Sequence, residues 1–272
     1  MTEKLQIHRC EVSKITNPIF PKNFSNPTHI IWRDMSADNP ELLKLPTPIR
    51  CKILERVNRF KVKIELDGEI EYAHINNTGR LRELLIRGKR GFCLRFKKPK
   101  KTKYRLFSIE ADGYGALIDT WIHGKAFERS LDLKLIPWLK DYRITRRNVR
   151  LNRSMIDNLL RRGDEEIYLE LKSAVQRIGG YASYPDAPSI RARRQLRDLI
   201  RYVEGGGRAM IVFMIGLMDV WGFKPNKDVD PEIHQLLLRG LQIGLGIKAI
   251  GVCYDPHLSS IRLWNPDVKT LI

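Results

Sequence analysis

The sequence has 272 residues, 43% of them hydrophobic, which suffices for one large domain or two ordinary domains with buried cores. Its 49 Lys and Arg residues against 31 Asp and Glu residues give a formal net charge of +18, which favours a polyanionic partner such as nucleic acid over a neutral metabolite. With no apolar run near the ~18 residues of a membrane-spanning helix, no signal peptide and no C-x-x-C pair, we expect a cytoplasmic protein without a membrane role, zinc site or disulfide framework.

Residues 1–47 are predicted to form an irregular N-terminal extension. Prolines interrupt this segment too often for a long helix or a central strand; they are Pro18, Pro21, Pro27, Pro40 and Pro46. We assign no chemistry to the extension.

Residues 48–112 are predicted to form an OB-like five-stranded β-barrel. Alternating apolar residues indicate strands at 49–57, 60–66, 70–75, 90–96 and 104–109. Asp67-Gly68 is typical of a hairpin turn, and Arg80 to Ile86 is predicted to be a short helix. Five short strands with one brief helix between the third and the fourth are typical of a small closed barrel.

Cations concentrate between Arg80 and Arg105, where the only acidic residue is Glu83. Charge this one-sided predicts a surface that follows nucleic-acid phosphates rather than a solvated loop, because solvated faces normally mix both signs. The candidate DNA contacts here are Arg80, Arg82, Lys97, Lys98, Lys100 and Lys101. The interleaved aromatic residues would either stack on bases or fill the barrel core, and the core is the better interpretation for most of them.

Residues 113–272 are predicted to form an α/β mixed-sheet domain, which makes the whole chain α+β. Three helices are expected, at 125–135 with Glu128, at 190–203 after the N-cap Ser189, and from Asp230-Pro231 to about 243. The apolar runs 209–215 and 247–254 are typical of buried strands. Strands and helices that alternate after a hairpin indicate a mixed sheet flanked by helices.

A hairpin at the start of this domain carries the candidate chemistry. Its predicted strands are 152–160 and 167–173, and the period of two puts Tyr168, Glu170 and Lys172 on one face of the second strand. The Asp157 carboxylate enters from the neighbouring strand. Asp157 and Glu170, helped by the Leu171 backbone carbonyl, would hold Mg²⁺ or Mn²⁺, and Lys172 would orient or deprotonate the attacking water.

An Asp followed by Glu-x-Lys on the next strand resembles the active-site pattern of the PD-(D/E)XK nuclease superfamily. The alternative is a solvated Glu–Lys pair on an exposed strand, worth only about 0.2–1 kcal/mol. Arginines that lead into the hairpin and others on the 190–203 helix would give the site a cationic approach. The candidate DNA contacts among them are Arg153, Arg191, Arg193 and Arg194.

Over residues 46 to 264 the chain resembles the sugar fermentation stimulation protein A family in both order and spacing. The matching stretches include 56–60, 73–79, 152–157, 168–173, 184–188 and 191–194. The resemblance implies an N-terminal OB-like domain, a C-terminal nuclease-like domain, and DNA binding without marked sequence preference that is linked to sugar (maltose) metabolism. It also implies that Asp157 and Glu170 are metal carboxylates and that Lys172 is the motif lysine.

Three functions stay open at this point. The first is a DNA-binding protein, on single or double strands, with a metal-dependent deoxyribonuclease site and no small-molecule cofactor. The second is a DNA-binding regulator whose nuclease-like site is vestigial. The third is a carbohydrate-responsive module, which the positive charge disfavours because neutral sugars gain little from it. The sequence leaves the oligomeric state open.

Overall fold

The computed structural model describes residues 39–99 and 101–272. Residues 1–38, which make up most of the predicted extension, and the candidate contact Lys100 lie outside the described residues. The last part of the predicted extension is not irregular, because β1 (Glu41–Lys44) pairs antiparallel with β16 (Ser260–Asn265). The prolines Pro40 and Pro46 lie just outside this four-residue strand, where a missing N–H removes no ladder hydrogen bond.

The predicted five-stranded barrel is confirmed. Its strands are β2 (Ile49–Asn58), β3 (Lys61–Leu66), β4 (Glu69–Ile75), β5 (Arg90–Arg95) and β6 (Tyr104–Ala111). β3 pairs with β2 and β4, β5 pairs with β2 and β6, and a parallel β4–β6 pairing closes the ring in the OB strand order. Asp67 at φ 49° and Gly68 at φ 84° form the two-residue turn between β3 and β4, as the sequence predicts.

The helix predicted from Arg80 to Ile86 is wrong, because the segment consists of turns. Two of its backbone groups at the N-terminal end are bonded by side chains from distant parts of the protein. The Arg56 guanidinium donates to the carbonyl oxygens of Gly79 and Arg80, and the Leu81 N–H donates to the Asp186 carboxylate at 3.0 Å. Leu81 also has φ 50°, a value that a right-handed helix excludes.

The five barrel strands are part of a 13-stranded sheet, so the barrel is joined to the rest of the protein by strand pairing. Beyond β6 the strands run β7 (Tyr114–Leu117), β15 (Gly246–Asp255), β13 (Ala209–Ile215), β10 (Glu165–Ala174), β9 (Ser154–Arg162) and β8 (Arg143–Leu151). β13 pairs parallel with both β10 and β15, and the other neighbours pair antiparallel. This confirms the mixed sheet.

A second sheet of three short strands and three α-helices complete the described fold. The strands are β11 (Gln176–Ile178), β12 (Tyr181–Tyr184) and β14 (Phe223–Pro225). The helices are α1 (Thr120–Asp132), α2 (Ile190–Glu204) and α3 (Pro231–Gln242), with a 3₁₀ turn at Pro137–Leu139. Ser189 and Asp230 cap α2 and α3 as predicted, by accepting the N–H groups of Ala192 and Ile233.

The core lies on both faces of the sheet. Alternate residues of β13 divide between two hydrophobic clusters, with Ile211 and Phe213 on the side of α2 and α3 and Val212 and Met214 on the side of α1. The first cluster continues into the barrel interior through residues such as Ile53, Ile64 and Leu106. Within the described part of the chain, no helix has the length and apolar character needed to cross a bilayer.

Candidate active site

Asp157 and Glu170 meet where the pairing of β9 with β10 stops. The ladder ends at Asn158 opposite Leu169. One residue further on, Glu170 Oε2 accepts the Asp157 N–H at 3.2 Å, and Asp157 Oδ2 accepts the Leu171 N–H at 2.8 Å. The two carboxylates therefore replace backbone carbonyls as acceptors across the hairpin, which fixes them side by side.

Lys172 and Glu170 form a buried ion pair rather than the solvated pair that was the alternative. Lys172 Nζ lies 2.6 Å from Glu170 Oε1, and the two side chains are 11% and 2% exposed. The ammonium group also donates to Gln195 Oε1 at 2.7 Å, and Gln195 Nε2 donates to the Met155 carbonyl at 2.8 Å. Gln195 was not predicted from the sequence, since nothing local distinguishes it from other polar residues of α2.

Burial and the neighbouring charges set the protonation states of this pair. Burial raises the pKa of Glu170, and the Asp157 carboxylate raises it further against the opposing effect of Lys172. Burial by itself would lower the pKa of Lys172, but Glu170, with smaller contributions from Tyr184 and Asp157, outweighs it, so the pKa of Lys172 is raised. Lys172 is therefore a charged hydrogen-bond donor at neutral pH and is unsuited to act as a base.

The Glu170–Lys172 ion pair borders a cavity of about 580 Å³, which is within the size range of ligand sites. Asp157, Glu170, Leu171 and Lys172 all line it. The other walls come from the barrel loop 76–79, from α1, and from the loop and helix start at 184–192. The cavity thus lies between the barrel and the C-terminal part of the sheet.

Glu128 of α1 lies in the same cavity but is already paired with two cations. Its carboxylate accepts from Lys125 at 2.8 Å and from Arg147 at 2.7 Å. Burial opposes ionisation, but these two cations prevail and the pKa of Glu128 is lowered. Within residues 39–99 and 101–272, no three His, Cys, Asp or Glu side chains are grouped so that they could hold a metal ion. An ion at the hairpin would therefore depend on Asp157, Glu170 and the Leu171 carbonyl.

His123 of α1 also lines the cavity and was not predicted from the sequence. It is buried, and neither ring nitrogen has a hydrogen-bond partner in the described part of the chain. Burial lowers the pKa of His123 to about 4, against a smaller opposing effect of Asp119. The imidazole is therefore neutral at physiological pH.

His123→Leu is expected to flatten the pH dependence of stability. The folded pKa of about 4 lies below the ordinary value of 6.5, so the unfolded chain binds the proton first and the wild type loses stability as the pH falls through this window. The loss amounts to roughly 3 kcal/mol in the free energy of unfolding. Urea unfolding at pH 7.5, 5.5 and 4 measures it, with the exposed His257 replaced in a control. A His123→Leu profile parallel to that of the wild type would contradict the expectation.

The candidate DNA contacts fall into separate places. Arg191 lines the cavity, whereas Arg193 pairs with Asp230 at 3.0 Å and with Glu232 at 2.9 Å. The other described candidates are exposed; they are Arg80, Arg82, Lys97, Lys98, Lys101, Arg153 and Arg194. Three cationic residues that were not among the candidate DNA contacts also line the cavity; they are Arg59, Lys125 and Arg147.

Arg105, at the end of the predicted cationic region, is not a free surface charge. It forms a bidentate ion pair with Asp119, which is fully buried and caps α1 by accepting the N–H groups of Trp121 and Ile122. This ion pair connects the barrel strand β6 to the start of helix α1.

An OB-type barrel joined to a mixed-sheet domain, with two adjacent carboxylates and a lysine paired with one of them, defines a class of two-part α+β proteins. Two family models match the chain, "SfsA N-terminal OB domain" at residues 54–122 and "Sugar fermentation stimulation protein RE domain" at residues 122–257. The chain belongs to the sugar fermentation stimulation protein (SfsA) family, as the resemblance implied.

Individual relatives agree with this assignment. A sugar fermentation stimulation protein homolog of Pyrococcus furiosus is 43% identical over 212 residues, which is 78% of this chain and 92% of the relative. The Archaeoglobus fulgidus homolog is 41% identical over 85% of this chain and 100% of its own length. The solved structure of Pyrococcus furiosus SfsA in complex with Ca²⁺ superposes with a TM-score of 0.81 at 40% identity, covering 86% of this chain and 100% of that chain.

Proposed function

We propose that this protein binds DNA with little sequence preference and hydrolyses phosphodiester bonds with a divalent metal ion at Asp157 and Glu170. The observation that carries the proposal is a buried Glu–Lys pair beside a second carboxylate in a cavity with cationic walls. Two adjacent carboxylates would repel a phosphodiester unless cations compensate them, and Arg59 and Arg191 in the cavity wall supply that compensation.

The residues of the hairpin fit Mg²⁺ or Mn²⁺, because both ions prefer oxygen ligands. Asp157, Glu170 and the Leu171 carbonyl would hold the ion, and a relative that is 40% identical was solved in complex with Ca²⁺. When bound, such an ion polarises a phosphoryl oxygen and lowers the pKa of its water.

The chain's own groups complete the proposed site. Lys172 keeps its proton, so its role is to position the attacking water and to offset negative charge that builds on the phosphoryl group. Gln195 accepts a second hydrogen bond from the Lys172 ammonium, besides the one to Glu170, and is a positioning residue. We leave Arg193 out of the proposed DNA surface because Asp230 and Glu232 neutralise it.

Incubation of the purified protein with plasmid and with single-stranded DNA tests the nuclease proposal. We expect cleavage with Mg²⁺ or Mn²⁺ and none with a chelator. A protein that binds DNA but leaves it intact with both ions would refute the nuclease part while leaving the binding part standing.

The binding part has its own test, because phosphate contacts release counterions. Replacing Lys97, Lys98, Lys100 and Lys101 together by alanine should weaken binding to all sequences and reduce the log–log salt slope by about one for each lost contact. Fluorescence anisotropy at several salt concentrations measures the slope. An unchanged slope would show that this loop does not contact phosphate.

A DNA-binding regulator of sugar metabolism with a vestigial site is the second candidate. It is favoured by the state of Glu170, whose two carboxylate oxygens already accept from Lys172 Nζ and from the Asp157 N–H. A metal ion would have to share these oxygens with both donors. Metal binding without cleavage would support this candidate.

A further inference from the structure

Partly exposed rings lie next to one another on the outside of the barrel. Phe60 and His74 are nearly parallel, with ring centroids 6.4 Å apart and an interplanar angle of 13°, and the centroid of Phe96 lies 6.5 Å from that of His74. Phe60 follows the end of β2, and its side chain is 51% exposed. Tyr72 shares the His74 face of β4, two residues away, and is also exposed. Exposed rings in a row are not core residues.

Cations accompany these rings. The Arg59 guanidinium lies 5.6 Å from the Phe60 ring centroid, and Lys61 Nζ lies 4.4 Å from that of Tyr72. Aromatic faces interleaved with positive charge suit a ligand that has both flat rings and phosphates. An acidic protein partner would use the charges but presents no regular series of flat faces for these rings.

The row leads to the cavity. His74 is the register partner of Arg105, and the Arg105 guanidinium lies 4.9 Å from the ring of Trp121. Trp121 is 55% exposed and forms part of the cavity wall. Arg59, beside Phe60, also lines the cavity. Rings and cations therefore continue from the barrel surface to the edge of the candidate active site.

We propose that this aromatic row (Phe60, Tyr72, His74, Phe96 and Trp121) binds single-stranded DNA and directs the unpaired strand into the cavity. Unpaired bases expose both faces for stacking, whereas the faces of bases inside a duplex are already stacked on their neighbours. The inference deepens the proposed function by naming unpaired DNA as the preferred substrate, and its final step rests on the cavity being the cutting site.

A competition binding assay in the presence of chelator tests whether the aromatic row binds single strands, because no cleavage occurs without metal. Fluorescence anisotropy would compare a dT₂₀ oligonucleotide with a hairpin duplex of equal charge at one salt concentration. We expect the wild type to prefer dT₂₀, and Phe60→Ala and Trp121→Ala each to lower the ratio of single-strand to duplex affinity by about tenfold. Trp121→Phe, which keeps a ring, should retain most of the preference.

Trp221→Ala is the matched control. Trp221 is 69% exposed but lies beside the small three-stranded sheet and outside the cavity lining, so its loss should leave the ratio unchanged. Ratios that stay at the wild-type value in Phe60→Ala and Trp121→Ala would overturn the inference even if DNA still binds. No DNA binding by the wild type would refute the proposed function as well. A lowered ratio in a protein that never cuts DNA would support the row and refute only the nuclease.

Discussion

Asp157→Asn is expected to abolish divalent-metal binding and any DNA cleavage, while metal-free DNA binding persists. The asparagine retains an oxygen that accepts the Leu171 N–H, so the hairpin keeps its 2.8 Å hydrogen bond, but the anionic ligand is lost. A single remaining carboxylate, Glu170, is already engaged by Lys172 and competes poorly with water for Mg²⁺.

Titration calorimetry with Mg²⁺ and Mn²⁺ measures the effect directly. Asp164→Asn is the matched control, because it makes the same change in the exposed turn of the same hairpin. Equal metal affinity in Asp157→Asn and wild type would rule out the hairpin as the metal site.

Lys172→Met is expected to lower both stability and activity. The substitution keeps an unbranched side chain but leaves the Glu170 carboxylate buried without its cation, which costs about 3–5 kcal/mol of unfolding free energy. Cleavage should fall by about 10²–10⁴-fold, because the water loses its positioning group. Part of the stability should return when Mg²⁺ is added, since the ion replaces the ammonium beside the carboxylate.

The control for this prediction is an exposed Lys–Glu pair on the barrel. Lys52 lies 2.9 Å from Glu65 between neighbouring barrel strands, but its side chain is 60% exposed, so Lys52→Met should cost less than about 1 kcal/mol. Urea unfolding of both variants, with chelator and with Mg²⁺, gives the comparison. Similar small losses would mean that burial does not strengthen the Glu170–Lys172 pair.

The sequence predicts the barrel and the hairpin because their signals are local. Alternating apolar residues place the five barrel strands, and the turn at Asp67-Gly68 needs the positive φ values that glycine and aspartate tolerate. The Arg80–Ile86 helix fails because its determinants are distant, since Arg56 and Asp186 hold the segment in turns. β8 escapes prediction because its many arginines mask the strand pattern.

In the candidate site, too, the features set by local sequence are predictable and those set by distant contacts are not. The period of two places Glu170 and Lys172 together, so their proximity follows from the sequence alone. Their burial does not, because it depends on packing of α2 over the hairpin, which also brings in Gln195. His123 is similarly invisible in sequence, since a lone histidine on a helix carries no signal until the cavity around it is seen.

The continuous sheet would fix the distance between DNA bound on the barrel and the proposed cleavage site at the hairpin. β6 belongs to the barrel and also pairs with β7, which pairs with β15, while the Arg105–Asp119 ion pair and the Asp186–Leu81 hydrogen bond add connections across the same junction. The barrel cannot reorient on a flexible linker, so the span from its surface to the hairpin is constant. If the proposed function holds, a strand bound on the barrel would be cut at a constant distance from the bound bases, wherever along its length it binds.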